Sequence, residues 1–129
     1  MMEFNTFPRV VLNVPNGLYI FKPVSAYGKT YLKYLLQQNA NAGGVTMTYS
    51  LEDHVKRVDI ERLVNAAGTK VLLVDRFDMF PDDTAVRKAM DIVKERGIVL
   101  VDAKGSHPRL GHYRSAFIRR TPEVIEVYA

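Results

Sequence analysis

Three short segments of this 129-residue chain carry residues suited to phosphate chemistry. In Pro23-Val24-Ser25-Ala26-Tyr27-Gly28-Lys29-Thr30 the spacing is that of a phosphate-cradling loop, G-x-x-x-x-G-K-[ST], with Pro at the first glycine position. In such a loop, backbone N–H groups and the positive end of the following helix hold phosphate oxygens. The lysine pairs with the β- and γ-phosphates, and the hydroxyl ligates Mg²⁺. Ser25, Ala26, Tyr27, Gly28, Lys29, Thr30 and Tyr31 are therefore the expected nucleotide-binding stretch, with Thr30 on the metal. Pro23 has no N–H and a fixed φ, so the loop should bend differently from a glycine loop or hold phosphate less fully.

The second segment, Val71-Leu72-Leu73-Val74-Asp75, is an apolar strand ending in a carboxylate, and Asp75 is the expected second support for Mg²⁺. The third is Tyr49-Ser50-Leu51-Glu52-Asp53. A carboxylate at such a strand end can orient a water in line with the γ-phosphate, which gives Glu52 a catalytic role beside Lys29. Ser50 followed by two acidic residues is also a good helix start, and the two uses are compatible. His54, His107 and His112 lack the spacing of a metal site.

These residues need strands to carry them and helices to aim them. Leu32, Leu35 and Leu36, with Tyr31 and Tyr34, recur at helical spacing from about Lys29 to Gly43-Gly44. Val58, Ile60, Leu63 and Val64 mark a second helix ending at Gly68, and Val86, Ala89, Met90 and Val93 a third after Pro81-Asp82-Asp83-Thr84. Val45 to Tyr49, Val71 to Val74 and Ile98 to Val101 read as strands, Val71 to Val74 of the kind buried on both faces and Ile98 to Val101 a second apolar one. Val10 to Leu12 and Leu18 to Phe21 flank Pro15-Asn16-Gly17 and read as a hairpin or as a strand after a turn. Ala116 to Arg120 and Val124 to Tyr128 form an antiparallel hairpin at the sheet edge. The alternation predicts an α/β fold, a three-layer sandwich with a mostly parallel sheet, in one domain spanning residues 1–129.

Composition narrows the setting. With 47% hydrophobic and 25% charged residues the chain is of globular type. Its apolar runs fall far short of the roughly 20 residues that span a bilayer, so no membrane partner is expected. No cysteine is present, which agrees with a cytoplasmic protein. The net charge of +4 is concentrated in residues 103–122, which hold Lys104, Arg109, Arg114, Arg119 and Arg120 and no acidic residue. This segment would contact phosphates, either those of single-stranded DNA or, as an arginine finger, those of a nucleotide on a neighbouring subunit of a homo-oligomer.

Ala26 to Thr30, then Thr48 to Glu52, then Leu72 to Phe80 occur in the order seen in RecA-like P-loop ATPases. The chain resembles most closely the core of bacterial replicative helicases and their KaiC and RadA relatives, over residues 17 to 128. The resemblance implies a P-loop NTPase fold, ATP and Mg²⁺ as cofactors, and ATPase activity on DNA in replication, recombination or a mobile element. By the same resemblance Lys29 and Thr30 bind phosphate and metal, Glu52 activates water, and Asp75 supports the metal. The chain departs from the family in its short length and in having Asp102-Ala103-Lys104 where a polar sensor, often Gln, stands. Those departures favour a second reading, a catalytically degenerate P-loop domain that serves as a binding or regulatory module.

Overall fold

A computed structural model of the chain describes residues 2–21, 26–104 and 107–129. Pro23, Val24 and Ser25 of the expected loop lie outside the described residues, as do the side chains of Ala26 and Tyr27.

Among the described residues eight strands form one sheet: β1 (Met2–Phe4), β2 (Arg9–Asn13), β3 (Gly17–Phe21), β4 (Thr46–Tyr49), β5 (Val71–Val74), β6 (Ile98–Val101), β7 (Arg114–Arg120) and β8 (Val124–Tyr128). Their order across the sheet is β1-β2-β8-β7-β3-β6-β5-β4. Among the described residues four α-helices join them: α1 (Ala26–Asn41), α2 (Leu51–Val55), α3 (Ile60–Ala67) and α4 (Thr84–Lys94).

The centre follows from the apolar runs. Every residue of β5 and β6 is buried, and they pair in parallel with Leu73 opposite Leu100. Val71, Leu73, Ile98 and Leu100 face Leu32, Leu35 and Leu36 of α1. Leu72, Val74, Val99 and Val101 face Ile60 and Val64 of α3 and Val86, Ala89, Met90 and Val93 of α4. Full burial of each such side chain contributes about 1.5–3 kcal/mol. The helix ends are specified locally. Ser50 and Asp53 form a reciprocal capping box on α2, Asp59 accepts from the Arg62 N–H at the start of α3, and Gly68 closes α3 in the left-handed region at φ 61°.

The expected three-layer, mostly parallel sandwich of a RecA-like P-loop NTPase is not what forms: the sheet is mixed and curls into a half-barrel. Its antiparallel pairings are β1 with β2 and β7 with β8, and β2 and β8 run against the central strands. Residues 10–12 and 18–21 do not make a hairpin, because β2 crosses to the far side of β8 and pairs with it in parallel, Val10 opposite Ile125. The β7–β8 hairpin consequently lies inside the sheet and not at its edge.

Side-chain alternation explains the curl. Phe4, Val10, Leu12, Ile125 and Val127 join the same apolar cluster as α1, so this half of the sheet bends over that helix. The opposite face of the same strands carries Arg9, Asn13, Arg119 and Glu126, which suits water and not a covering helix. A sheet apolar on both faces at its centre and on one face at its wing wraps around the helix on the shared side.

Candidate functional site

The carboxyl ends of β3, β5 and β6 lie side by side, since β6 pairs with both β3 and β5. The ladder continues one residue beyond β5 and β6: the Asp75 N–H donates to the Tyr49 carbonyl and the Asp102 N–H to the Val74 carbonyl, both at 2.9 Å. Asp75 and Asp102 are thereby fixed on adjacent strand ends. Two neighbouring carboxylates repel each other unless cations separate them.

Helix α1 supplies the cations. Lys29 and Lys33 stand four residues apart on one helical face. Lys29 Nζ donates to Asp102 Oδ1 at 3.1 Å, while Lys33 Nζ donates to Asp75 Oδ1 at 2.9 Å and to Asp102 Oδ2 at 3.1 Å. Arg76 adds a third cation, its Nε 4.0 Å from Asp75 Oδ2. Burial pushes the Asp102 carboxyl up, but hydrogen bonds from Lys29 and Lys33 outweigh it and hold the group below the usual carboxylate range. Burial pushes Lys33 down, and its bonds to Asp75 and Asp102 reverse this and leave it above the ordinary lysine value.

The cluster opens on a cleft of about 100 Å³ lined by Lys33, Gln37, Thr48, Tyr49, Asp53 and Asp75. Asp53 faces it while accepting from the Ser50 N–H and hydroxyl. Glu52, the expected water-activating residue, is exposed in the first turn of α2 and does not line the cleft. Thr30 is exposed and Tyr31 half-buried on α1, and Gly28 is buried, with 3.5 Å between the position of an added Cβ and Ile118 on β7.

The five basic residues of the segment 103–122 are dispersed. The Lys104 N–H donates to Asp78 Oδ1. Arg109 pairs with the buried carboxylate of Asp83 at 2.9 Å, and Arg114 lies over the Tyr19 ring, 5.8 Å from its centre. Arg119 pairs with Glu126 on the uncovered face of the sheet, and Arg120 covers Tyr31 on the α1 face. A second cleft, about 270 Å³ between α4 and residues 109–111, is basic, but Arg87 and Arg109 there share Asp83 and Lys94 pairs with Asp91.

Of the two residues expected to hold Mg²⁺, Thr30 is exposed on α1 and Asp75 accepts from Lys33 through Oδ1, so a dication at that oxygen would have to displace Lys33. Both oxygens of the neighbouring Asp102 also accept from lysine ammonium groups. Among the described residues no group of three or more His, Cys, Asp or Glu could hold a metal ion.

No family model, curated protein or solved structure matches the chain. The RecA-like resemblance of the motifs therefore has no matching protein beside it, and function must be argued from the geometry of these side chains. Among the described residues no helix is long and apolar enough to cross a membrane.

Lys33 and Asp102 lie outside the motifs that mark Lys29 and Asp75. The signal was present: Ile98 to Val101 followed by Asp102 repeats the pattern of Val71 to Val74 followed by Asp75, and Lys33 lies one helical turn beyond Lys29.

Proposed function

We propose that the chain binds the phosphate groups of a nucleoside triphosphate, ATP first among them, beside the first turns of α1, and acts as a binding or regulatory module and not as a hydrolase. The supporting observation is the charge arrangement at the strand ends. Three cations, Lys29, Lys33 and Arg76, lie within ion-pair distance of two carboxylates, an excess of one positive charge among the ion-paired groups, with Asp53 a third carboxylate on the cleft wall. That excess lies at the carboxyl ends of parallel strands, where α/β proteins place ligands, and beside the positive end of a 16-residue helix with no acidic residue in its first turn.

Binding without turnover is favoured because Glu52 points to solvent and Asp75 is engaged by Lys33. Catalysis needs a base within hydrogen-bond reach of the attacking water. The absence of cysteine agrees with a reducing, cytoplasmic setting for such a module.

The test is thermal unfolding with and without millimolar ATP, alongside phosphate release with and without single-stranded DNA. ATP should raise the midpoint, Lys29→Ala should remove the rise, and phosphate release should stay at background. No rise with the wild-type chain overturns the reading.

A further inference from the structure

We propose that the Lys33 ammonium takes the place of a divalent cation, so that the site binds nucleoside triphosphate without metal. This rests on the phosphate-binding reading above and specifies its chemistry.

A metal in a nucleotide site bridges protein carboxylates and phosphate oxygens and offsets the negative charge of both. Lys33 already bridges the carboxylates, at 2.9 Å to Asp75 and 3.1 Å to Asp102. An ammonium has three donors, and two are used here, so one remains to turn toward an anion. Lys29 spends one donor on Asp102 Oδ1. The carboxylates orient the two lysines and hold them charged. The raised Lys33 pKa fits this, since the pair of acids stabilises its protonated form against burial.

Electrostatics favours the same outcome. The three cations and two carboxylates of the ion-pair cluster are balanced by Asp53 on the cleft wall, and a dication would leave the site two charges in excess. A dication would also push Lys33 off both aspartates into the half-buried space between α1 and the strand ends.

The experiment is calorimetric titration of ATP into the full chain in EDTA and in excess Mg²⁺. For the wild type the two affinities should agree within about threefold, roughly 0.7 kcal/mol. Lys33→Met frees Asp75 Oδ1 and Asp102 Oδ2, so its binding should become metal-dependent, at least about tenfold tighter with Mg²⁺, roughly 1.4 kcal/mol. Lys33→Arg, which keeps the charge, should stay metal-independent. Wild-type binding at least about tenfold tighter with Mg²⁺ overturns the inference and leaves the phosphate site standing. If ATP binds in neither buffer, the phosphate-binding reading itself falls. Circular dichroism reports whether the variants fold, and the wild-type comparison decides the matter without them.

Discussion

Lys29, in the second turn of α1, meets Asp102, just past the end of β6, with Nζ 3.1 Å from Oδ1. The pair ties the helix that follows β3 to the strand beside β3, and both side chains are mostly shielded from water. Removing either partner leaves the other a half-buried charge.

Acid should therefore weaken the fold in part through Asp102. Burial raises this carboxyl, but the hydrogen bonds and charges of Lys29 and Lys33 prevail, and its folded-state pKa lies below the ordinary value. A depressed carboxyl stabilises fully above the ordinary range, about pH 4, and that contribution is lost as pH falls through the folded-state value. Lys33, raised in the fold, contributes fully below about pH 10.4 and loses that contribution as pH climbs through its folded-state value. Urea midpoints across the pH range should fall on both sides. Asp102→Asn should cost about 1.5–3 kcal/mol at pH 7 and make the acid decline shallower.

Gly28→Ala separates binding from folding. An added Cβ would sit 3.5 Å from Ile118, an ordinary contact, and alanine favours a helix over glycine by up to about 1 kcal/mol. The variant should be at least as stable as the wild type in urea. Any loss of ATP affinity in calorimetry then reports on the phosphate site alone.

Gly97→Ala should do the reverse. A Cβ at Gly97 would run into the Lys70 carbonyl oxygen, which accepts from the Ile98 N–H at the start of β6. Backbone cannot yield as a side-chain tip can, so β6 must shift from β5. A loss of about 1–3 kcal/mol or more is expected by chemical denaturation.

Leu12→Ala tests the wing of the sheet. Leu12 on β2 is fully buried, opposite Val127 of β8 and in the same cluster as α1. Truncation should cost about 2–5 kcal/mol, as for a central core residue. A loss below about 0.5 kcal/mol would mean that β2 is not docked as described.

Single-stranded DNA should bind weakly. Arg109, Arg119 and Arg120 lie on different parts of the surface, and the first two are already paired with Asp83 and Glu126. Fluorescence anisotropy over a salt series should give a log–log slope no steeper than about −1.4, two phosphates at roughly −0.7 each. A slope near −3 would show the segment acting as one phosphate-binding surface.

The central elements were legible in the sequence because their signals are local. The all-apolar runs at β5 and β6 and the helical spacing of Val86, Ala89, Met90 and Val93 identified residues that are buried as read. Local signals do not state partners. Nothing near Val10 to Leu12 points to a strand at Val124 to Tyr128, and the short β1 carries too few residues for a period. Of the two readings at Pro15-Asn16-Gly17, the hairpin does not form for that reason, and β3 is a strand that follows a turn. The Gly17 N–H donates instead to the Gly97 carbonyl, starting β3 beside β6. In the site, Lys29 and Asp75 carried motifs that could be read. Lys33 matters only because Asp75 and Asp102 emerge on neighbouring strands, and that adjacency is a property of sheet order.

The pairing of β2 with β8 has a kinetic side. Arg9 lies opposite Val124, and its N–H donates to the Glu123 carbonyl at 3.0 Å, so a strand near residue 10 waits for one near residue 125. Until then β2 has only β1 beside it, and its other edge is uncovered. Contacts of such sequence separation slow the final step of folding and leave an interval in which a nascent chain is vulnerable to self-association.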